Sequence, residues 1–152
     1  MMMENGFTIS TDRSKLDLPF IHAYLSGESY WVQGMPFEKL AIAVEHSLNF
    51  GLYHFDRQIG YARVVTDYSR IAYLADVFVI AAYRGRGLSK FLIAEVMAHP
   101  DLQGLRRWML HTRDAHGLYR QMGWADAAKP ETYMEVYNPA PQWWETGHGA
   151  GE

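Results

Sequence analysis

Apolar and polar positions along the chain alternate in several short runs, interrupted by stretches in which apolar residues recur every three or four positions. Phe7 to Asp12 reads as a first strand. Asp17 as N-cap, with Pro19 in the first turn, opens a short helix closed by Gly27, with Ile21, Tyr24 and Leu25 on its inward face. A second helix begins near Pro36, shows Phe37, Leu40, Ala41 and Val44 on one side, and ends around Ser47. Leu48 to Phe55, Ile59 to Val65 and Ile71 to Ile80 follow as three strands. They are joined at Asp56-Arg57-Gln58 and Asp67-Tyr68-Ser69, which predicts an antiparallel meander. The third run is almost continuously apolar, as a strand covered on both faces is, and Asp76 interrupts it.

Past Ala81 to Gly87, a helix carries Leu88, Phe91, Leu92 and Val96 on one face, with Glu95 breaking the pattern, and stops before Pro100. Arg106 to Thr112 predicts another strand. Asp114 is placed to cap a short helix that runs through Tyr119 and is terminated by Gly123. Thr132 to Tyr137 is the last predicted strand. The order β-α-α-β-β-β-α-β-α-β belongs to the α/β (α+β) class, a mixed sheet with helices on its faces.

Composition narrows the picture. A chain of 152 residues, 49% hydrophobic and 20% charged, suits one globular domain, expected over residues 1–138. Residues 139–152, rich in Gly and Pro but carrying Trp143 and Trp144, read as an irregular extension. The longest apolar stretch, Val77 to Tyr83, is far too short to span a bilayer, and residues 1–6 lack the apolar region of a secretory signal, so the expected address is the cytosol. The absence of cysteine removes disulfides, thiolate nucleophiles and cysteine-bearing zinc sites. A formal charge of −3 offers nucleic acid no global attraction. The seven histidines contain no H-E-x-x-H, and His111 and His116 stand five apart, so no metal is expected.

Arg84-Gly85-Arg86-Gly87-Leu88-Ser89 lies between a buried strand and a helix, where successive amides and the helix dipole form an anion cradle. A dinucleotide fingerprint needs glycine where Lys90 stands, and a P-loop needs G-K-[ST] where Gly87-Leu88-Ser89 stands; both fail. The remaining pattern, R-x-x-G-x-(small), resembles the acyl-coenzyme A loop of the GNAT superfamily of N-acetyltransferases. The strand through Asp76-Val77-Phe78-Val79, the loop from Tyr83, the following helix and strand, and Asp114-Ala115 leading to Leu118-Tyr119 and Gly123-Trp124 keep that family's order over roughly Leu48 to Tyr137. The stretches at Thr66-Asp67, Tyr73 to Val79 and Thr112 to His116 resemble a bacterial subgroup. The implied fold is GNAT-like, with a mostly antiparallel central sheet.

By that resemblance, amides from Arg84 to Ser89, including Leu88, bind the pyrophosphate of acetyl-coenzyme A, with Arg84 and Arg86 adding charge. The pantetheine arm runs along Phe78 and Val79, and Asp114 joins the cofactor side. Ser89 stands where relatives have Gly or Ala. The competing reading of the loop is a sharp strand-to-helix turn. Tyr119 resembles the family's tyrosine near the cofactor sulfur; a phenol of ordinary pKa ~10 keeps its proton and can give it to a departing thiolate. Its alternative is a core aromatic. Asp76 is the candidate base or the source of a water relay, although relatives often carry Glu where Ala75 stands; the alternative is a structural acceptor. An amide of Phe78 or Val79, released by a bulge, would meet the oxyanion. Tyr30 and Trp31, between the first two helices, are candidates for the acceptor pocket, where aromatic faces suit a cationic amine, or else they simply pack. His54 and His116 read as polar surface or cap residues.

The expected activity is acetyl transfer from acetyl-coenzyme A to an amine, of a small molecule rather than a peptide, by direct attack in a ternary complex. The competing class is an acyl-coenzyme A sensor or interaction module without turnover. Dimerisation through the last strand and the Trp143-Trp144 tail is open to the chain.

Overall fold

The computed structural model describes residues 2–29, 32–139 and 141. Six strands form one sheet in sequence order: β1 (Met2–Met3), β2 (Phe7–Ser10), β3 (Leu48–His54), β4 (Arg57–Thr66), β5 (Ile71–Val79) and β6 (Arg107–Leu110). Neighbours from β1 to β5 are antiparallel and only β5 and β6 are parallel. The mixed, mostly antiparallel sheet expected from the sequence is therefore present. The two-residue β1 was not expected.

Among the described residues, four α-helices cover the sheet. Helix α1 (Leu18–Gly27) starts where the Asp17 carboxylate accepts from Phe20 N–H at 3.0 Å. Helix α2 (Phe37–Glu45) follows Pro36. Ile21, Tyr24 and Leu25 of α1 and Leu40 and Val44 of α2 pack with Tyr61 and Phe78 on one side of the sheet. The opposite side holds the larger core, in which Leu88, Leu92, Ile93 and Val96 of α3 (Leu88–Ala98) and Tyr119 of α4 (His116–Gln121) meet Phe50, Leu52, Ile59, Val64 and Leu74. Each aliphatic so buried is worth ~1.5–3 kcal/mol. The inward faces read from helical spacing pack, except that on α2 Phe37 is 40% exposed and only Leu40 and Val44 enter the core.

Asp114 does not cap α4. The helix begins one residue later, with Ala115 at its N-terminus and no side-chain cap; the Ala115 N–H donates to Thr112 Oγ1 at 3.0 Å. The threonine hydroxyl fixes the turn that enters the helix and leaves its first-turn amides without a side-chain cap. Thr132–Tyr137 does not form a strand either. Pro130–Thr132 makes a 3-10 turn, and the residues after it extend without a sheet partner among the described residues. Alternation of side chains was present, but alternation does not supply a neighbour. Tyr30, Trp31, Trp143 and Trp144 lie outside the described residues.

Candidate active site

Strands β5 and β6 pair only from Ile71↔Arg107 to Leu74↔Leu110, then separate. Opposite this gap, β5 carries an irregularity: Arg63 pairs with Ala75 and Tyr61 with Phe78, so Asp76 and Val77 together face Ala62. Asp76 has φ +55, the left-handed conformation a bulge demands and Asp tolerates better than most residues. The bulge hoped for near Phe78 and Val79 thus sits immediately before them.

The direction of the β5 backbone follows from its bonds. Ile80 N–H donates to Ile59 O at 3.0 Å, toward β4. A Cβ on Gly60 would meet the Phe78 carbonyl oxygen at 2.8 Å, so that carbonyl also faces β4. Alternation then turns the Val79 N–H and C=O to the edge that β6 has left. Arg84 Nε donates to the Val79 carbonyl at 3.0 Å from that edge. Val79, and not Phe78, presents its main chain to the gap. Phe78 contributes its ring, stacked on Tyr24 with centroids 3.9 Å apart.

Gly85 and Gly87 have φ +79 and +75, and Gly87 sits at the N-terminus of α3. A side chain at either would meet no atom within 4 Å, so crowding does not explain the glycines; left-handed backbone does. Above them lies a cleft of about 360 Å³ lined by Val79, Tyr83, Arg84, Gly85, Gly87, Leu88, Ser89, Lys90 and Leu118. Six of the predicted cofactor-side residues are thereby assembled around one space. Phe78, Arg86 and Asp114 are not among its walls.

The two arginines behave differently from a pair of phosphate ligands. Arg84 turns inward, bonding the Val79 carbonyl and, through Nη2, the Tyr24 hydroxyl at 2.8 Å. It latches the loop to β5 and α1. The Arg86 guanidinium lies 5.0 Å from the Tyr83 ring centre. Tyr83 itself shares a 2.9 Å hydrogen bond with His54 Nδ1, and His54 stacks on Phe7. His54, read as a surface residue, therefore steadies the loop. The cation on the cleft wall that the sequence reading passed over is Lys90, noticed only as a missing glycine.

On the α1–α2 side, Asp76 pairs with Arg63 at 2.8 Å, and the two side chains are 9% and 18% exposed. Arg63 also reaches Ser47 Oγ at 3.0 Å. Just past the last β5–β6 pair, Tyr73 Oη and His111 Nδ1 share a hydrogen bond of 2.9 Å, and the Tyr133 ring lies 5.7 Å from that of His111. Burial above all, then the charge of Asp76, hold the Tyr73 proton on beyond the ordinary phenol range. Neither Tyr73 nor His111 was singled out for chemistry; their positions at the fork would have required knowing where β6 stops pairing. Tyr119 is buried on α4 in the larger core, edge-on to Trp124 at 5.7 Å, and is not among the residues that line the cleft.

A strand pair splayed open beside a glycine-rich helix start is the arrangement implied by the sequence resemblance, and the profile of the acetyltransferase (GNAT) family matches residues 15–124. The chain belongs to the GNAT family. Among solved GNAT structures, a provisionally named acetyltransferase from Xanthomonas campestris pv. campestris superposes with a TM-score of 0.85 at 49% identity, covering 88% of this chain and 94% of that one. A provisionally named acetyltransferase of Gibberella zeae is 29% identical over 143 residues, 79% of this chain and 80% of its own. The Escherichia coli ribosomal-protein-S18-alanine N-acetyltransferase shares the fold (TM-score 0.64, 22% identity, 80% of this chain and 79% of that one). The GNAT fold thus accounts for the observed sheet and its splay. No helix among the described residues is long and apolar enough to cross a membrane.

Proposed function

We propose that this GNAT chain is an acetyl-coenzyme A-dependent N-acetyltransferase whose acceptor is the amine of a small molecule. The observation that carries the reading is the cradle at the start of α3. Two left-handed glycines and the first residues of α3 line an open cleft, and Val79, at the edge of β5 that β6 has left, lines it too. Amides from Gly85 to Ser89 and the Lys90 cation would hold a diphosphate there. The Val79 carbonyl, which already accepts from Arg84 Nε, would accept also from an amide of an extended pantetheine arm. When bound, the thioester supplies the acetyl group.

The remaining roles fall to side chains around the fork. The Val79 N–H is directed at the gap and is suited to a developing oxyanion. Tyr119, next in sequence to the cleft-lining Leu118, is assigned the proton that the leaving sulfur requires. Asp76, on the opposite side of β5, is assigned the amine's proton, directly or through water. Its ion pair with Arg63 also favours the rival reading, an acyl-coenzyme A-binding module in which Asp76 is structural. Tyr30 and Trp31 remain the proposed acceptor walls. The chain's location in the cytosol and its single-domain extent over 1–138 belong to this proposal as well.

Calorimetric titration with acetyl-coenzyme A and a thiol-reactive assay of released coenzyme A against an amine panel test the two readings. The cysteine-free chain gives no thiol background. Turnover that falls roughly 10²-fold in Tyr119→Phe, with binding of acetyl-coenzyme A retained, is the outcome expected of a general acid. Full turnover in that variant removes Tyr119 from the mechanism; binding without turnover of any amine selects the module; no binding overturns both.

A further inference from the structure

We infer that residues 132–137 form a strand only against a second copy of this chain, along the free edge of that copy's β6, so that two chains exchange their C-terminal segments. The segment Thr132-Tyr133-Met134-Glu135-Val136-Tyr137 has the period-two pattern of a strand, leaves its 3-10 turn with Tyr133 extended, and stands in water. Met134 is 91%, Val136 103% and Tyr137 75% exposed. An apolar strand sequence held fully solvated in a single chain is a surface awaiting cover.

The matching surface is on the same molecule. β6 terminates the sheet order and pairs only with β5 among the described residues. It is a short edge of four residues whose Trp108, Met109 and Leu110 are each only partly buried, and no proline, lysine or bulge guards it. Its N-terminal end is basic, with Arg106 and Arg107, while the segment carries Glu135 and is preceded by Glu131. Opposite charge therefore accompanies apolar complementarity.

The segment does not lie on its own β6. Tyr133 reaches His111, just beyond the C-terminal end of that strand, but Met134 and Val136 beyond it are bare, so the backbone departs from its own sheet. Each copy offers the same strand and the same edge, which makes the exchange isologous and closed at two. The added strand would lie on the side of β6 away from β5, with β6 between it and the fork. The inference is independent of the chemistry proposed above.

Sedimentation of the full chain is expected to give a dimer, and Val136→Asp is expected to halve the mass while retaining far-UV circular dichroism. A monomeric wild-type chain, or a Val136→Asp chain that stays dimeric, overturns the exchange. Partner identity is read by co-expressing two differently tagged chains, Met109→Cys and Val136→Cys, and treating them with a short bismaleimide that tolerates a one-residue slip. A cross-link joining the two tags supports the exchange. No such cross-link, or one formed only within a single chain of the double variant, means that the segment folds back or stays apart, and the inference fails.

Discussion

At the scale of single residues, two tyrosines on neighbouring strands meet burial differently. Tyr61 is fully buried and donates its hydroxyl to Asn49 Oδ1, while Asn49 in turn donates to the Val44 and Ser47 carbonyls at 2.9 and 3.0 Å. The Tyr53 hydroxyl is also buried but has no hydrogen-bond partner. Desolvation first, then the nearby charges of Asp12 and Asp17, push its pKa up to about 12. An unmet buried hydroxyl costs ~1–3 kcal/mol, so Tyr53→Phe is expected to raise stability by about 1 kcal/mol in urea unfolding. A loss of stability would show that the hydroxyl finds a partner in solution. Arg84 is the other residue whose role its type misstates. A cation beside a phosphate-binding loop reads as a ligand, yet its partners are a carbonyl and a phenol inside the protein. Side-chain direction is decided by which acceptors lie within reach, and those acceptors come from Val79 and from Tyr24, sixty positions earlier in the chain.

At the scale of elements, the loop before α3 and the hairpin before β5 are each held by one local device. In Gly87→Ala the new methyl meets nothing, but L-residues resist left-handed backbone by ~1–2 kcal/mol. The variant is expected to lose about that much stability and to bind acetyl-coenzyme A more weakly. Gly51→Ala serves as its control: there the methyl would run into the Tyr53 ring, so stability falls while binding does not. Equal binding in both variants would argue against the cradle. In the β4–β5 hairpin, the Asp67 carboxylate accepts from the amides of Ser69, Arg70 and Ile71 at 3.0, 2.7 and 3.1 Å. Those bonds, that from Arg70 foremost, lower its pKa from 3.8 to about 2. Because the folded state holds the ionised form, the stabilisation is complete above the ordinary carboxylate pKa and disappears as pH falls through about 2. Asp67→Ala should therefore be less stable than the parent near neutrality, with the gap closing in acid. A gap independent of pH would assign the effect to the turn's shape rather than to the charge.

For the whole molecule, what the sequence made legible divides along a physical line. Helix faces, the three-strand meander and the glycine loop depend on residues close together in the chain, and their patterns survive into the structure at Ile21, Leu40, Leu92 and Gly87. Less legible was whatever depends on distant pairing. Where β6 parts from β5 follows from a register that local alternation does not encode, and so the Tyr73–His111 contact at the fork went unmarked. The bulge at Asp76 depends likewise on the count of residues in two strands at once. Thr132–Tyr137 has a strand's pattern without a strand's neighbour, since pattern describes a face and pairing requires a second edge.

In the function proposed above, the turn ahead of α3 grips with main-chain atoms, while the Arg84 guanidinium is bonded to the Val79 carbonyl and the Tyr24 hydroxyl. Proline apart, no substitution removes a peptide N–H. On the reading proposed here, a lineage of such proteins can rewrite the side chains around Asp76 and Tyr73, and thereby the molecule that is modified, while the means of holding the acyl donor passes unchanged from one specificity to the next.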